Sequence, residues 1–298
     1  MNDSRKLYRV FTLSTLCLSA LFLVLRTAAL FFAFDRDVGY HESGILSTLL
    51  YIVAVLFVLG TCVYVFAASK AAKKQLLAVS PDLASSHLSI TILSILTAVA
   101  FAFVGLWESL AGQPADTTAF LRVIGAAPAI VYFAISKKDK TFLLGLGALV
   151  YFVAVLVSEY FDWTVPMNSP LKVMQQIAAV CAMLYLCAEM MQFVGKDRPH
   201  RLTACAALAA FFGLANGASL LLAFFVGGIV RIDYAIHAIP ALAVGVYALI
   251  RLLNSRESSL PAPAKEEPVE AGQDVPAPEE SEHSNVPEDL PTTNDEEN

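Results

Sequence analysis

Six apolar runs in this sequence are each long enough to cross a lipid bilayer, and that number leaves little room for a water-soluble fold. They lie near residues 10–34, 45–68, 87–107, 173–194, 202–228 and 234–253, and about 17 to 25 residues suffice to span roughly 30 Å of hydrocarbon. Two shorter runs, near 120–135 and 142–160, are separated only by Ser136-Lys137-Lys138-Asp139-Lys140-Thr141. A loop of that charge splits them into a tight helical hairpin. The expected fold class is therefore all-α, a polytopic transmembrane helical bundle of about eight spans occupying residues 1–255.

Composition agrees, because 57% of residues are apolar and 15% charged, against about 45 to 50% and about 25% in soluble domains. The charge is also segregated. Through residue 255 there are 18 Lys and Arg against 13 Asp and Glu, and from 256 to 298 there are 2 against 13. The second stretch is rich in Pro, Glu and Ser and poor in large apolar groups, so it cannot offset its own ordering entropy. It reads as a disordered acidic tail. A solvated appendage is the plain account of it, and recruitment of a basic cytosolic partner the functional one.

Lys and Arg mark which loops stay inside. With the N-terminus inside, the inner segments hold Arg5, Lys6 and Arg9; Lys70, Lys73 and Lys74; Lys137, Lys138 and Lys140; Lys196, Arg198 and Arg201; then Arg251 and Arg256. Outer segments hold Arg36, Arg122, Lys172 and Arg231, each alone. One span more or fewer would scramble that alternation, so a cell-membrane protein with both termini cytoplasmic is expected. The first run is longer than a signal-peptide core, carries Arg26 and lacks a small-x-small exit, so it reads as a retained helix. All five cysteines fall inside apolar runs with no CxxC, which supports neither disulfides nor zinc.

A faint internal repeat is visible. Ile124-Gly125-Ala126-Ala127-Pro128-Ala129-Ile130 resembles Ile236-His237-Ala238-Ile239-Pro240-Ala241-Leu242, and Phe34-Asp35 before span two resembles Phe161-Asp162 before span six. A duplicated four-helix unit with parallel copies would produce it. Lys70 to Val79 reads as a cytosolic extension of the second helix, and Ser80-Pro81-Asp82 as an N-cap and first turn that starts the third helix early. Phe34-Asp35 with Gly39-Tyr40, and Phe161-Asp162 followed by Met167-Asn168-Ser169-Pro170-Leu171-Lys172, resemble motifs in uncharacterised multi-pass membrane proteins of Gram-positive anaerobic bacteria. The resemblance implies a helical membrane body and carries over no activity.

A charge at mid-bilayer costs about 2.5 to 3.5 kcal/mol on insertion scales, so ionisable residues within spans are the candidates for function. Arg26 lies well inside span one and calls for a partner, either a carboxylate in a helix-orienting ion pair, with Glu108, Glu159 and Asp162 all at outer ends, or a substrate anion. Glu189 is near the inner end of span six, where snorkelling towards Lys196 accounts for it. Around the outer ends Asp35, Glu42, Glu108, Arg122, Glu159, Asp162, Asn168, Lys172, Gln175, Gln176, Arg231, Asp233 and His237 collect; solvated loops explain such a set, and a cup open to the outside is the functional alternative. Its candidate ligand-binding residues are Arg26, Glu108, Glu159, Asp162, Lys172 and His237.

Asp233 and His237 stand at i, i+4, so the carboxylate can reach the imidazole. Pro128 and Pro240 can kink their spans. Gly213 and Gly217 give a small-xxx-small packing face with Asn216 available for an interhelical bond. No HExxH, GxSxG, GxxxxGK[ST] or GxGxxG is present, and no basic aromatic surface suggests nucleic acid. Neither a cofactor nor a catalytic or metal-ligating residue is called for. Three readings remain: a transport-related or small-solute-binding protein using the outer cup, a non-catalytic scaffold or sensor working through its acidic tail, and an intramembrane enzyme, which two carboxylates and a histidine meeting at one water-accessible point would favour.

Overall fold

An apolar stretch in lipid can satisfy its backbone hydrogen bonds only within itself, and each of the runs above winds into a helix accordingly. The computed structural model describes residues 3–35, 40–41, 44–75, 77–83, 87–111, 117–135, 142–166, 168–194 and 199–259. Over these, eight helices form: α1 (Asp3–Phe32), α2 (Ile45–Gln75), α3 (Leu88–Ala111), α4 (Thr117–Ala134), α5 (Phe142–Phe161), α6 (Pro170–Phe193), α7 (Pro199–Phe225) and α8 (Ile232–Leu253). All eight are long and apolar enough to cross a membrane. Val10, Val24, Val63, Phe66, Leu96 and Leu106 stay exposed on α1, α2 and α3, a density of large apolar side chains that water penalises and lipid does not. The chain is a multi-pass integral membrane protein.

The start of α1 and the end of α8 share one face of the bundle, where the Tyr8 hydroxyl donates to the Leu252 carbonyl at 2.7 Å. This is called the termini face below, and its opposite the far face. Helix α7 is central and packs against α1, α2, α6 and α8. Of its span 61% is buried, against 22% for α2 at the periphery. From α8 a circuit runs through α3, α4, α5 and α6 back to α7, each helix packed along the next. Phe211 of α7 stacks on Phe22 of α1 and Phe57 of α2 at ring-centroid distances of 4.5 and 4.0 Å, which fixes these two helices to the centre.

The expected small-xxx-small face joins α7 to α8 of the same chain. A Cβ at Gly213 would lie 2.5 Å from the Ala241 carbonyl oxygen, and one at Gly245 would lie 2.8 Å from that of Ala209. Only hydrogen fits between these backbones. Helices α4 and α5 meet in the same way, with the Pro128 ring against Gly147.

Among the described residues, four short strands complete the fold. β1 (Phe34–Asp35) pairs antiparallel with β2 (Tyr40–His41), and β3 (Leu77–Pro81) with β4 (Ser255–Ser259), Leu77 opposite Ser259 and Pro81 opposite Ser255. The second pair corrects three expectations. The helical extension expected over Lys70 to Val79 stops at Gln75, and residues 77–79 lie in β3. Ser80-Pro81 lies in a strand and does not start a helix; α3 begins at Leu88. Residues 256–259, expected to open the disordered tail, complete that ladder, because the backbone of 77–81 offers them hydrogen-bond partners that composition does not disclose. The serine cap with proline in the first turn occurs instead at Ser169-Pro170, where the Ser169 hydroxyl accepts from the Leu171 amide.

The proposed repeat has counterparts in the α3–α4 and α7–α8 hairpins and in the prolines inside α4 and α8. The packing around them differs, since α6 lies along α7 whereas α2 and α3 share at most marginal contact. Arg36, Gly39, Glu42, the 136–141 loop, Met167, Lys196, Arg198 and the tail from 260 lie outside the described residues.

Candidate functional site

At the far face the antiparallel packing of α3 on α4 brings Glu108, in the last turn of α3, opposite Arg122 in the second turn of α4. Arg122 Nη2 donates to Glu108 Oε2 at 2.9 Å, and both side chains are 5% exposed. Because α8 also packs on α3, His237 reaches the other oxygen of the same carboxylate, with Nε2 2.7 Å from Oε1. The expected Asp233–His237 pair does not form. Asp233 lies one turn nearer the helix end, half exposed, and accepts from Arg231 at 3.1 Å, while His237 turns into the bundle.

A second group gathers just past α5. Asp162 Oδ1 accepts from the Thr164 amide at 2.9 Å and hydroxyl at 2.6 Å, and Oδ2 accepts from the Tyr234 hydroxyl at 2.8 Å. Buried Lys172 donates through Nζ to the Asp162 carbonyl, and Arg231 Nη1 donates to Thr164 Oγ1 at 2.7 Å. Partial burial pushes the Asp162 carboxyl up, but the Thr164 and Tyr234 bonds and the Lys172 charge outweigh it and hold the group below its ordinary value of 3.8.

Glu159 connects the two groups. It is 5% exposed and lies in the field of Asp162, Lys172, Arg122 and Arg231, and its Oε2 has no hydrogen-bond partner among the described residues. Five of the six expected residues, Glu108, Glu159, Asp162, Lys172 and His237, thus converge.

Arg26 does not join them. Helix α1 packs on α7, away from α3, α4 and α5, so its guanidinium meets α7 and the start of α6. Nη2 donates to Asn216 Oδ1 at 3.1 Å and to the Pro170 carbonyl at 3.4 Å, and Asn216 Nδ2 donates on to Gln175 Oε1 at 2.8 Å. The carboxylate partner expected for Arg26 from Glu108, Glu159 or Asp162 is replaced by a neutral amide. Asn216 does make the interhelical bonds that its position implied.

Sequence reasoning missed a third group, near the termini face. Glu189 is fully buried and accepts from the Tyr247 hydroxyl at 3.0 Å, where snorkelling had been expected. Arg251, also fully buried, donates through Nη2 to that hydroxyl at 2.7 Å and through Nη1 to the Asp82 carbonyl at 2.7 Å. Its guanidinium lies 5.0 Å over the Tyr247 ring. Between this network and the far-face cluster stand Tyr132, Tyr151 and Tyr185, all 0% exposed, and the hydroxyls of Tyr151 and Tyr185 have no hydrogen-bond partner among the described residues. The signal was available: a tyrosine deep in an apolar run brings a hydroxyl that must find a partner.

Among the described residues no group of three His, Cys, Asp or Glu could hold a metal ion. No family model, curated protein or solved structure matches the chain.

Proposed function

We propose that the protein binds and passes a small polar solute through the circuit of α3, α4, α5, α6, α7 and α8. The far-face cluster is its entry site. The observation that carries the reading is Glu159, a buried carboxylate with an unfilled acceptor oxygen beside a cluster of both charge signs. Such an oxygen is costly to leave unpaired in low dielectric, and a solute bearing N–H or O–H donors would fill it. Unpartnered hydroxyls on Tyr151 and Tyr185 would then offer the next contacts on the way to Glu189, Tyr247 and Arg251. The solute enters from outside, because the positive loops assign the termini face to the cytoplasm of a cell membrane. The motifs at 34–40 and 161–172 associate the chain with the multi-pass proteins of Gram-positive anaerobes named above.

The test is a thermal-shift screen of small amines and polyols on the full chain in detergent. A stabilising solute is expected whose apparent affinity falls at least about tenfold in Glu159→Gln, on the scale of one lost charge-assisted hydrogen bond. If every stabilising solute acts equally on Glu159→Gln, the site is elsewhere.

A second reading, a scaffold or sensor whose acidic tail meets a cytosolic partner, draws support from the β3–β4 ladder, which ties down the backbone leading into that tail.

A further inference from the structure

Arg26 raises a separate question of charge. Its side chain is 0% exposed and it sits six residues before the end of α1, about 9 Å below the helix terminus at 1.5 Å per residue. A buried lysine or histidine can release its proton, but a guanidinium stays charged. Leaving that charge unbalanced inside the bundle is strongly unfavourable even after relaxation.

Among the described residues, none supplies it a counter-charge. The bonds Arg26 makes go to the amide oxygen of Asn216 and the carbonyl of Pro170, both neutral. Its Nε and Nη1 have no hydrogen-bond partner among the described residues, and Gln175, engaged through its oxygen, keeps its amide nitrogen as a further donor. The site also adjoins the first turn of α6, a 24-residue helix whose N-terminus adds positive potential. Water could occupy the open donors but leaves the charge unbalanced, whereas an anion would fill the donors and balance it.

We infer that Arg26, Asn216 and Gln175 form a binding site for a small monovalent anion, a halide or a short carboxylate, between α1, α6 and α7. One guanidinium flanked by neutral amides balances one negative charge, which selects against dianions. Occupancy would complete the contact of α1 with the central helices, so the anion acts as a structural ligand. The site is independent of Glu159 and of the solute route, and its failure would leave that reading intact.

The experiment measures Tm of the purified full chain across rising chloride, and separately rising acetate, with ionic strength held constant by bulky gluconate. A ligand that binds only the folded state raises Tm steadily with the logarithm of its concentration above Kd, so a rise of a few degrees over the series is expected with one or both anions. Chloride alone would assign a halide, and acetate a carboxylate. Asn216→Asp places a carboxylate on Arg26 and is expected to fold with a flat anion response. Arg26→Met is expected to be flat too, and Glu159→Gln to keep the full rise. A wild-type Tm insensitive to both anions overturns the inference, as does an undiminished rise in Asn216→Asp; the second test holds even if Arg26→Met does not fold.

Discussion

Asp162 spends its whole carboxylate on Thr164 and Tyr234, and this makes its ionised form part of the folded state. A carboxyl held below its ordinary value contributes stability that is complete above that value and is lost as pH falls through the lower folded one. With Asp162 held below 3.8, the wild type is expected to lose Tm relative to Asp162→Asn as pH drops from about 5 towards 3, against an ordinary aspartate value of about 3.9. Parallel Tm curves for the two proteins across that window would show that the carboxylate contributes nothing. Individual residues were legible in the sequence to the extent that lipid makes charge expensive: Glu108, Glu159, Lys172 and His237 stood out for that reason and do come together. Their partners were not legible. Arg26 meets Asn216 because α1 lies against α7, and His237 meets Glu108 because α8 lies against α3; neither adjacency is written in local spacing. The buried tyrosines were hidden in another way, since counting Tyr132, Tyr151, Tyr185 and Tyr247 as apolar conceals the hydroxyls that make the interior polar.

Helix contacts in lipid depend on how closely backbones approach, because burial from lipid carries no hydrophobic gain. At Gly213 the gap is closed: an added Cβ would sit 2.5 Å from the Ala241 carbonyl oxygen. Gly213→Ala is therefore expected to destabilise by about 1 to 3 kcal/mol, the usual range for overpacking. Gly60 of α2 has nothing within 4 Å of such a Cβ, so Gly60→Ala should instead stabilise by about 0.5 to 1 kcal/mol through helix propensity. Denaturant unfolding of the two variants in one detergent checks the opposite signs. The Gly213–Gly217 spacing announced this contact, and the apolar runs announced the helices around it. The β3–β4 ladder was invisible by comparison, since Leu77–Pro81 and Ser255–Ser259 show no apolar–polar alternation and are defined only by each other. Ser80-Pro81 misled because a serine before a proline suits a helix start only where a helical stretch follows at once, as it does at Ser169-Pro170.

For the molecule as a whole, the number of spans and the alternation of charged loops came from hydropathy and Lys and Arg placement, both properties that the bilayer imposes on a linear chain. Which helix stands at the centre is a packing question, and hydropathy does not rank α7 above α2. Side-chain size does: α7 is dense in Ala and Gly, which lets four neighbours approach it, whereas α2 presents Val55, Leu59, Val63 and Phe66 outward. The proposed solute route requires a bilayer-spanning bundle with its polar entry cluster outside and its termini inside. With the five native cysteines replaced, Trp163→Cys at the far face and Asn254→Cys at the termini face should be probed with a membrane-impermeant maleimide in intact cells. Labelling is expected at position 163 without permeabilisation and at position 254 only after it; labelling of both from outside, or of 254 alone, would overturn that orientation.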